Sequence, residues 1–217
     1  MPQHHGLLVE IVTNGPFQEN CYLAADETTR QAIIIDPGSE EDRIVDRIRQ
    51  LELEVQEIIV THAHIDHAGG VAALKRILGV PFALHPQEKE GLRYLPQQAA
   101  LFGFTMKEVP VVDRDLTPGE TIAIGNLSAQ VLYTPGHSAG GCCIYFAAAK
   151  TVFVGDTLFS GSIGRSDLPG GSADTLLASI RQNLLALDDE VVVYSGHGPA
   201  TSIGHERRYN PFLKDEA

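Results

Sequence analysis

Between residues 61 and 70 the chain reads THAHIDHAGG, with three histidines and an aspartate inside six positions. The run VQEIIV before it is short, apolar and rich in β-branched residues, the pattern of a buried strand. In GGVAALKRILGV after it, Val71, Leu74, Ile77 and Leu78 recur at helical spacing. The cluster therefore stands on a turn between the C-terminal end of a strand and a helix, where open α/β sheets bind their ligands. Alternate side chains of an extended segment share a face, so His62 and His64 can reach one metal ion. Asp66 and His67, at the entry to the helix, diverge toward a second.

Three more candidate ligands follow apolar runs that end in small residues: His137 in VLYTPGHSAG, Asp156 in TVFVGDTLF and His197 in VVVYSGHGPA. A glycine beside a ligand lets the backbone close in on a crowded site. Imidazole and carboxylate without thiolate suit zinc, iron or manganese. The expected cofactor is one or two divalent transition metals, zinc foremost. His4, His5, His85 and His205 lack this setting and are read as terminal or supporting residues.

The remaining pattern is strands, helix, strands, helix, with no linker. LLVEIVT, NCYLAA and QAIIID read as strands before a helix in SEEDRIVDRIRQLEL, with an apolar stripe of Ile44, Val45, Ile48 and Leu51 and a cap from Ser39 and Asp42. Residues 87–110 mix helical stretches with Pro96 and Gly103, the pattern of a covering loop with broken helix. ETIAIG, SAQVLYT, GCCIYFA and TVFVGD read as successive short strands. Ser172 is placed to cap a helix carrying Leu176, Leu177, Ile180 and Leu184, VVVYSG is a last buried strand, and GHERRYNPFLKDEA a terminal helix or tail. The fold class expected is α/β, a four-layer α/β/β/α sandwich forming one domain over residues 1–217.

A formal net charge of −12 repels polyanions and argues for a small-molecule partner and against nucleic acid. MPQHHGLLVEIV lacks the basic and apolar regions of a signal peptide, and no apolar run is long enough for a membrane span. Three cysteines, two of them adjacent at 142 and 143, are no disulfide framework; in a strand those two point to opposite faces. The expected setting is a reduced cytoplasm, and the expected state a monomer or small homo-oligomer.

THAHIDH, PGHSAG, FVGDTLF and SGHGP, in this order, resemble the metallo-β-lactamase superfamily, from Asp36 in IIIDPG nearly to the end of the chain. GSIGRSDLPGG and GHERRYNPFLKDE resemble the short type II glyoxalases, hydroxyacylglutathione hydrolases of the YcbL kind. The resemblance implies His62, His64 and His137 at a first metal, Asp66, His67 and His197 at a second, and Asp156 bridging. Asp36 matches an aspartate that orients a ligand or backbone; as a residue ending a strand it is equally a turn residue.

The reaction implied is hydrolysis of S-D-lactoylglutathione to D-lactate and glutathione. No serine, cysteine or lysine stands in a triad setting, and Ser138 and Ser160 read as structural, so the expected nucleophile is water. Zinc lowers the pKa of water from about 15.7 to near 7. A thioester suits such a site because its thiolate, of thiol pKa about 8.5, leaves with little protonation. Asp66 is the candidate catalytic proton acceptor.

Arg165 is the candidate substrate-binding residue, placed to pair with a glutathione carboxylate, unless it pairs with Asp167 and stiffens its loop. The long glyoxalases carry a C-terminal helical domain with no counterpart in these residues, and Arg165-Ser166-Asp167 replaces their lysine-aromatic loop. The rival within the superfamily is a mononuclear-iron persulfide dioxygenase, whose loop reads Gly-Cys-Gly-Arg where SIGR stands here. Another hydrolase of the superfamily, acting on lactones or RNA, is a further alternative. A non-enzymatic metal-binding protein would need a closed coordination sphere.

Overall fold

The structure, a computed structural model, describes residues 5–106 and 108–214. In the first sheet β1 (Leu7–Asn14), β2 (Glu19–Asp26), β3 (Gln31–Ile35), β4 (Glu54–Val60), β5 (Phe82–Leu84) and β6 (Arg114–Asp115) lie side by side in chain order. They run antiparallel as far as β3 and parallel from there. Next come β7 (Thr121–Ile124), β8 (Leu127–Tyr133), β9 (Cys142–Phe146) and β10 (Thr151–Gly155), a small hairpin of β11 (Leu158–Phe159) and β12 (Ser162–Ile163), then β13 (Val192–Ser195) and β14 (Thr201–Ser202). The second sheet has the order β14-β13-β10-β9-β8-β7, with β10 and β13 parallel and the other pairs antiparallel.

Both faces of each sheet are covered. Along β2, Cys21, Leu23 and Ala25 face the core under the helices α1 (Glu41–Gln50), α2 (Ile65–Ala68), α3 (Val71–Leu78) and α4 (Lys89–Leu101), whereas Tyr22 and Ala24 face the other sheet. Cys142, Ile144 and Phe146 of β9 likewise face inward, and Cys143 points outward beneath α5 (Ala173–Ser179) and α6 (Ile203–Tyr209). The two adjacent cysteines thus take opposite faces, and all three thiols are free and buried. Period-two alternation between two dry faces is why these strands read as unbroken apolar runs. Each buried Ile or Leu contributes about 1.5–3 kcal/mol. The result is the α/β/β/α sandwich. Among the described residues no helix is long and apolar enough to cross a membrane.

Three expectations change. Ser39 does not cap α1: Glu40, left-handed at φ 55°, precedes the helix without a side-chain cap, and the Ser39 hydroxyl donates to Asn14 Oδ1 at 2.8 Å. Ile77 lies on the solvent side of α3, while Val71 and Leu74 fill the core. The covering segment contains α4, a continuous helix through Pro96. Leu92, Leu95 and Ala99 are buried against the core, and that burial outweighs the hydrogen bond proline cannot donate. Ser172 caps α5 as expected, accepting from Thr175 N–H, and a π-helical turn, Ile180–Leu184, continues it. His4 and the last three residues of the expected terminal helix or tail lie outside the described residues.

Candidate metal centre

The site forms where the two sheets present the ends of β4, β8, β10 and β13. β4 closes at Val60, and the extended turn that follows carries His62 and His64 before α2 carries Asp66 and His67. The parallel register of β10 and β13 sets Gly155 opposite Ser195, so Asp156 and His197 emerge together. A backbone bond from Asn20 N–H to Gly196 C=O, 2.8 Å, ties this end of the second sheet to β2. His137 sits on the loop between β8 and β9.

The side chains meet as two trios. His137 Nε2 lies 3.2 Å from His62 Nε2 and 3.0 Å from His64 Nδ1. His197 Nε2 lies 3.2 Å from Asp66 Oδ2, with His67 Nε2 3.9 Å from the same oxygen. Asp156 stands between them, 3.4 Å from His67 Nε2 through one oxygen and 3.8 and 3.7 Å from His137 and His197 through the other. Asp36, His62 and His67 also come close, but the Asp36 oxygens are already occupied. They accept from Thr61 N–H (2.6 Å), the Thr61 hydroxyl (2.7 Å) and His67 Nδ1 (3.0 Å).

The outer hydrogen bonds decide which ring nitrogens carry lone pairs into the site. His137 Nδ1 donates to Arg165 C=O (2.7 Å), His67 Nδ1 to Asp36, and His197 Nδ1 to Phe17 C=O (3.2 Å). The Thr61 hydroxyl, spent as a donor on Asp36, accepts from His62 Nδ1 at 3.0 Å. The Nε2 atoms of His62 and His137 therefore turn lone pairs toward each other, which is repulsive without a cation between them. His67 Nε2 and Asp156 Oδ1 are buried with no hydrogen-bond partner. A tetrahedral zinc with Zn–N of about 2.05 Å places neighbouring nitrogens ~3.3 Å apart, close to the observed spacing. The donor set fits a divalent transition metal.

Burial, reinforced by the neighbouring imidazoles, pushes His62 well below its usual range and His64 down to about 4. Burial opposes charge on His67, yet the Asp156 and Asp66 carboxylates outweigh it and push that ring up. On Asp66 burial acts upward and is overridden by the charges of His67 and His197, which hold the carboxyl ionised. Close approach explains two glycines. A Cβ on Gly38 would lie 1.6 Å from Asp66 C=O, and one on Gly196 2.4 Å from Asp156 Oδ1.

All seven candidate ligands are brought together, whereas His85 and His205 are not. His85 stacks on Tyr133 at 4.8 Å, and His205 lies against Tyr209 on α6. The Arg165 guanidinium is exposed and pairs with both oxygens of Asp167 at 2.8 Å, while its main-chain carbonyl holds His137. That carbonyl and the one from Phe17 carry no signal in a sequence, since every residue has a carbonyl.

A family profile described as "Metallo-beta-lactamase superfamily" matches residues 14–197. Hydroxyacylglutathione hydrolase GloC of Haemophilus influenzae is 38% identical over 211 residues, covering 96% of this chain and 99% of that protein. Among solved structures, BLEG-1 B3 metallo-beta-lactamase superposes with a TM-score of 0.90 at 36% identity, over 96% of this chain and 100% of that one. A di-iron-bound form of TTHA1623 gives 0.87 at 41% identity, over 94% and 100%.

Proposed function

We propose that this chain, which belongs to the metallo-beta-lactamase superfamily, is a metal-dependent thioester hydrolase that converts S-D-lactoylglutathione and water to D-lactate and glutathione. The observation that carries this reading is the end-to-end likeness to a protein named hydroxyacylglutathione hydrolase. Residues 1–217 are taken as one hydrolase domain. His62, His64 and His137 are assigned to one metal ion, Asp66, His67 and His197 to another, and Asp156 to both. Zinc is the first assignment, and the di-iron form of a relative makes iron the next. Such ions supply an acidified water and polarise a carbonyl. The protein's own part is to orient that chemistry. Asp66, ionised and 19% exposed at the side chain, takes the proton from the attacking water. The thiolate leaves without a dedicated acid, since thiols ionise near pH 8.5.

Asp66→Asn is expected to keep the fold and lower kcat roughly a hundredfold or more while changing KM less. Steady-state kinetics beside a melting curve checks this; near wild-type turnover would remove Asp66 from the mechanism. Arg165 is assigned to a glutathione carboxylate, which takes the place of Asp167 on the guanidinium. Arg165→Ala should then raise KM roughly tenfold to a hundredfold with kcat little changed, and Arg165→Lys should recover only part. A lower melting temperature with KM unchanged would make the Arg165–Asp167 pair a loop strut.

A second reading, β-lactam hydrolysis, is favoured by the likeness to BLEG-1 at 36% identity. Metal-loaded protein offered lactoylglutathione, a chromogenic cephalosporin and, with oxygen uptake followed, glutathione persulfide separates the readings. Thioester loss at the highest kcat/KM is the expected result. Oxygen consumption or cephalosporin opening as the dominant activity would replace it.

A further inference from the structure

Glu88, which the sequence reading left inside a covering segment, is 4% exposed and directs both carboxylate oxygens at backbone amides of the two ligand loops. One oxygen accepts from Ala63 N–H at 2.7 Å, the peptide between His62 and His64. The other accepts from Gly140 N–H at 2.6 Å, three residues beyond His137. We infer that Glu88 is a positioning residue that sets the separation of His62 and His64 from His137, and so the metal affinity of that trio, without touching the metal. The inference rests on the assignment of those three histidines as ligands.

The surroundings are built for this contact. Glu88 ends a short 3-10 turn, Pro86–Glu88, and leads directly into α4. A Cβ on Gly140 would lie 2.7 Å from His85 Nδ1 and 2.9 Å from Glu88 Cγ, and one on Gly91 would lie 2.9 Å from Ala63 Cβ. Glycine at both positions lets the start of α4 press against the two loops. At their base the loops are joined by Cys142 N–H donating to Thr61 C=O at 3.0 Å. Glu88 joins them again at the level of the ligands. On the far side of the same turn, Gln98 Oε1 accepts from Ile65 N–H at 2.9 Å. A charged acceptor shared by two amides is a strong and directional tie. Imidazole nitrogens already 3.0–3.2 Å apart leave little tolerance for a shift of one loop against the other.

The test is zinc affinity by competition with a colorimetric chelator, with cobalt(II) absorption spectra as a measure of ligand geometry. Glu88→Gln keeps the size but turns an NH2 group toward one amide. It should weaken zinc binding 10- to 100-fold, the range found when groups that orient ligands are removed, and shift the cobalt bands. Glu88→Asp keeps the charge but is too short to span both amides, so it should not restore affinity; it also serves if Glu88→Gln does not fold. Zinc affinity within about twofold of wild type and unchanged cobalt bands in a folded Glu88 variant would overturn the inference, whatever its melting temperature. Zinc affinity unmoved by His62→Ala would overturn the ligand assignment beneath it.

Discussion

His62→Ala is expected to lower turnover roughly a thousandfold, because several kcal/mol of transition-state stabilisation leave with the ion it holds. His62 is 2% exposed, and its ring lies at the centre of the site, its centroid 4.6 Å from those of His64 and His137 and 4.1 Å from that of His67. No other side chain can substitute from the same position. Folding should survive, since Asp36 holds Thr61 through the backbone amide and the hydroxyl independently of the imidazole. The stabilisation that bound metal adds should shrink. A ligand at a hundred times its dissociation constant contributes about 2.7 kcal/mol, so the metal-dependent rise in melting temperature should largely vanish. Kinetics and melting curves with and without added metal check both parts. Wild-type turnover in the variant would remove His62 from the site.

The other large effect is expected at Asp36, where two variants should differ in kind. Asp36→Ala orphans three buried groups at once: Thr61 N–H, the Thr61 hydroxyl and His67 Nδ1. At about 1–3 kcal/mol for each unsatisfied donor, the loss is on the order of 4 kcal/mol. At about 2–4 °C per kcal/mol for a chain of this size, the melting temperature should fall by roughly 8–16 °C. The backbone adds to the cost, because Asp36 sits at φ 53°, a left-handed conformation that aspartate tolerates better than alanine. Asp36→Asn keeps the shape and should cost less stability. Its amide nitrogen, however, cannot accept from His67 Nδ1, so the ring loses the partner that keeps its proton on the outer nitrogen. Metal affinity should fall 10- to 100-fold while the metal-free melting temperature changes little. Equal effects of the two variants on stability and metal binding would contradict this division.

The sequence made the strand-end ligands legible because each follows the same local grammar: an apolar run, small residues, then one polar side chain. Strand alternation set His62 and His64 against one partner, and a short helical turn sent Asp66 and His67 to the other trio. What escaped was set by tertiary packing. Ser39 has the right identity for a cap, but Asn14, across a turn between strands, takes its hydroxyl. Pro96 argues locally against helix, yet α4 continues because its apolar face is buried on the first sheet. The roles of Asp36 and of the Phe17 and Arg165 carbonyls depend on contacts between residues 25 to 180 positions apart, beyond any local pattern. For Arg165, both sequence readings survive: the guanidinium is paired with Asp167 and still exposed to solvent.

The central claim is that the two trios joined by Asp156 hold catalytic metal. It is tested most directly by elemental analysis of protein purified without chelator, paired with lactoylglutathione turnover before and after metal removal. The account expects one or two transition-metal ions per chain, loss of turnover and a lower melting temperature on chelation, and recovery on adding zinc or iron. Protein that carries no transition metal and yet hydrolyses the thioester at full rate would contradict it.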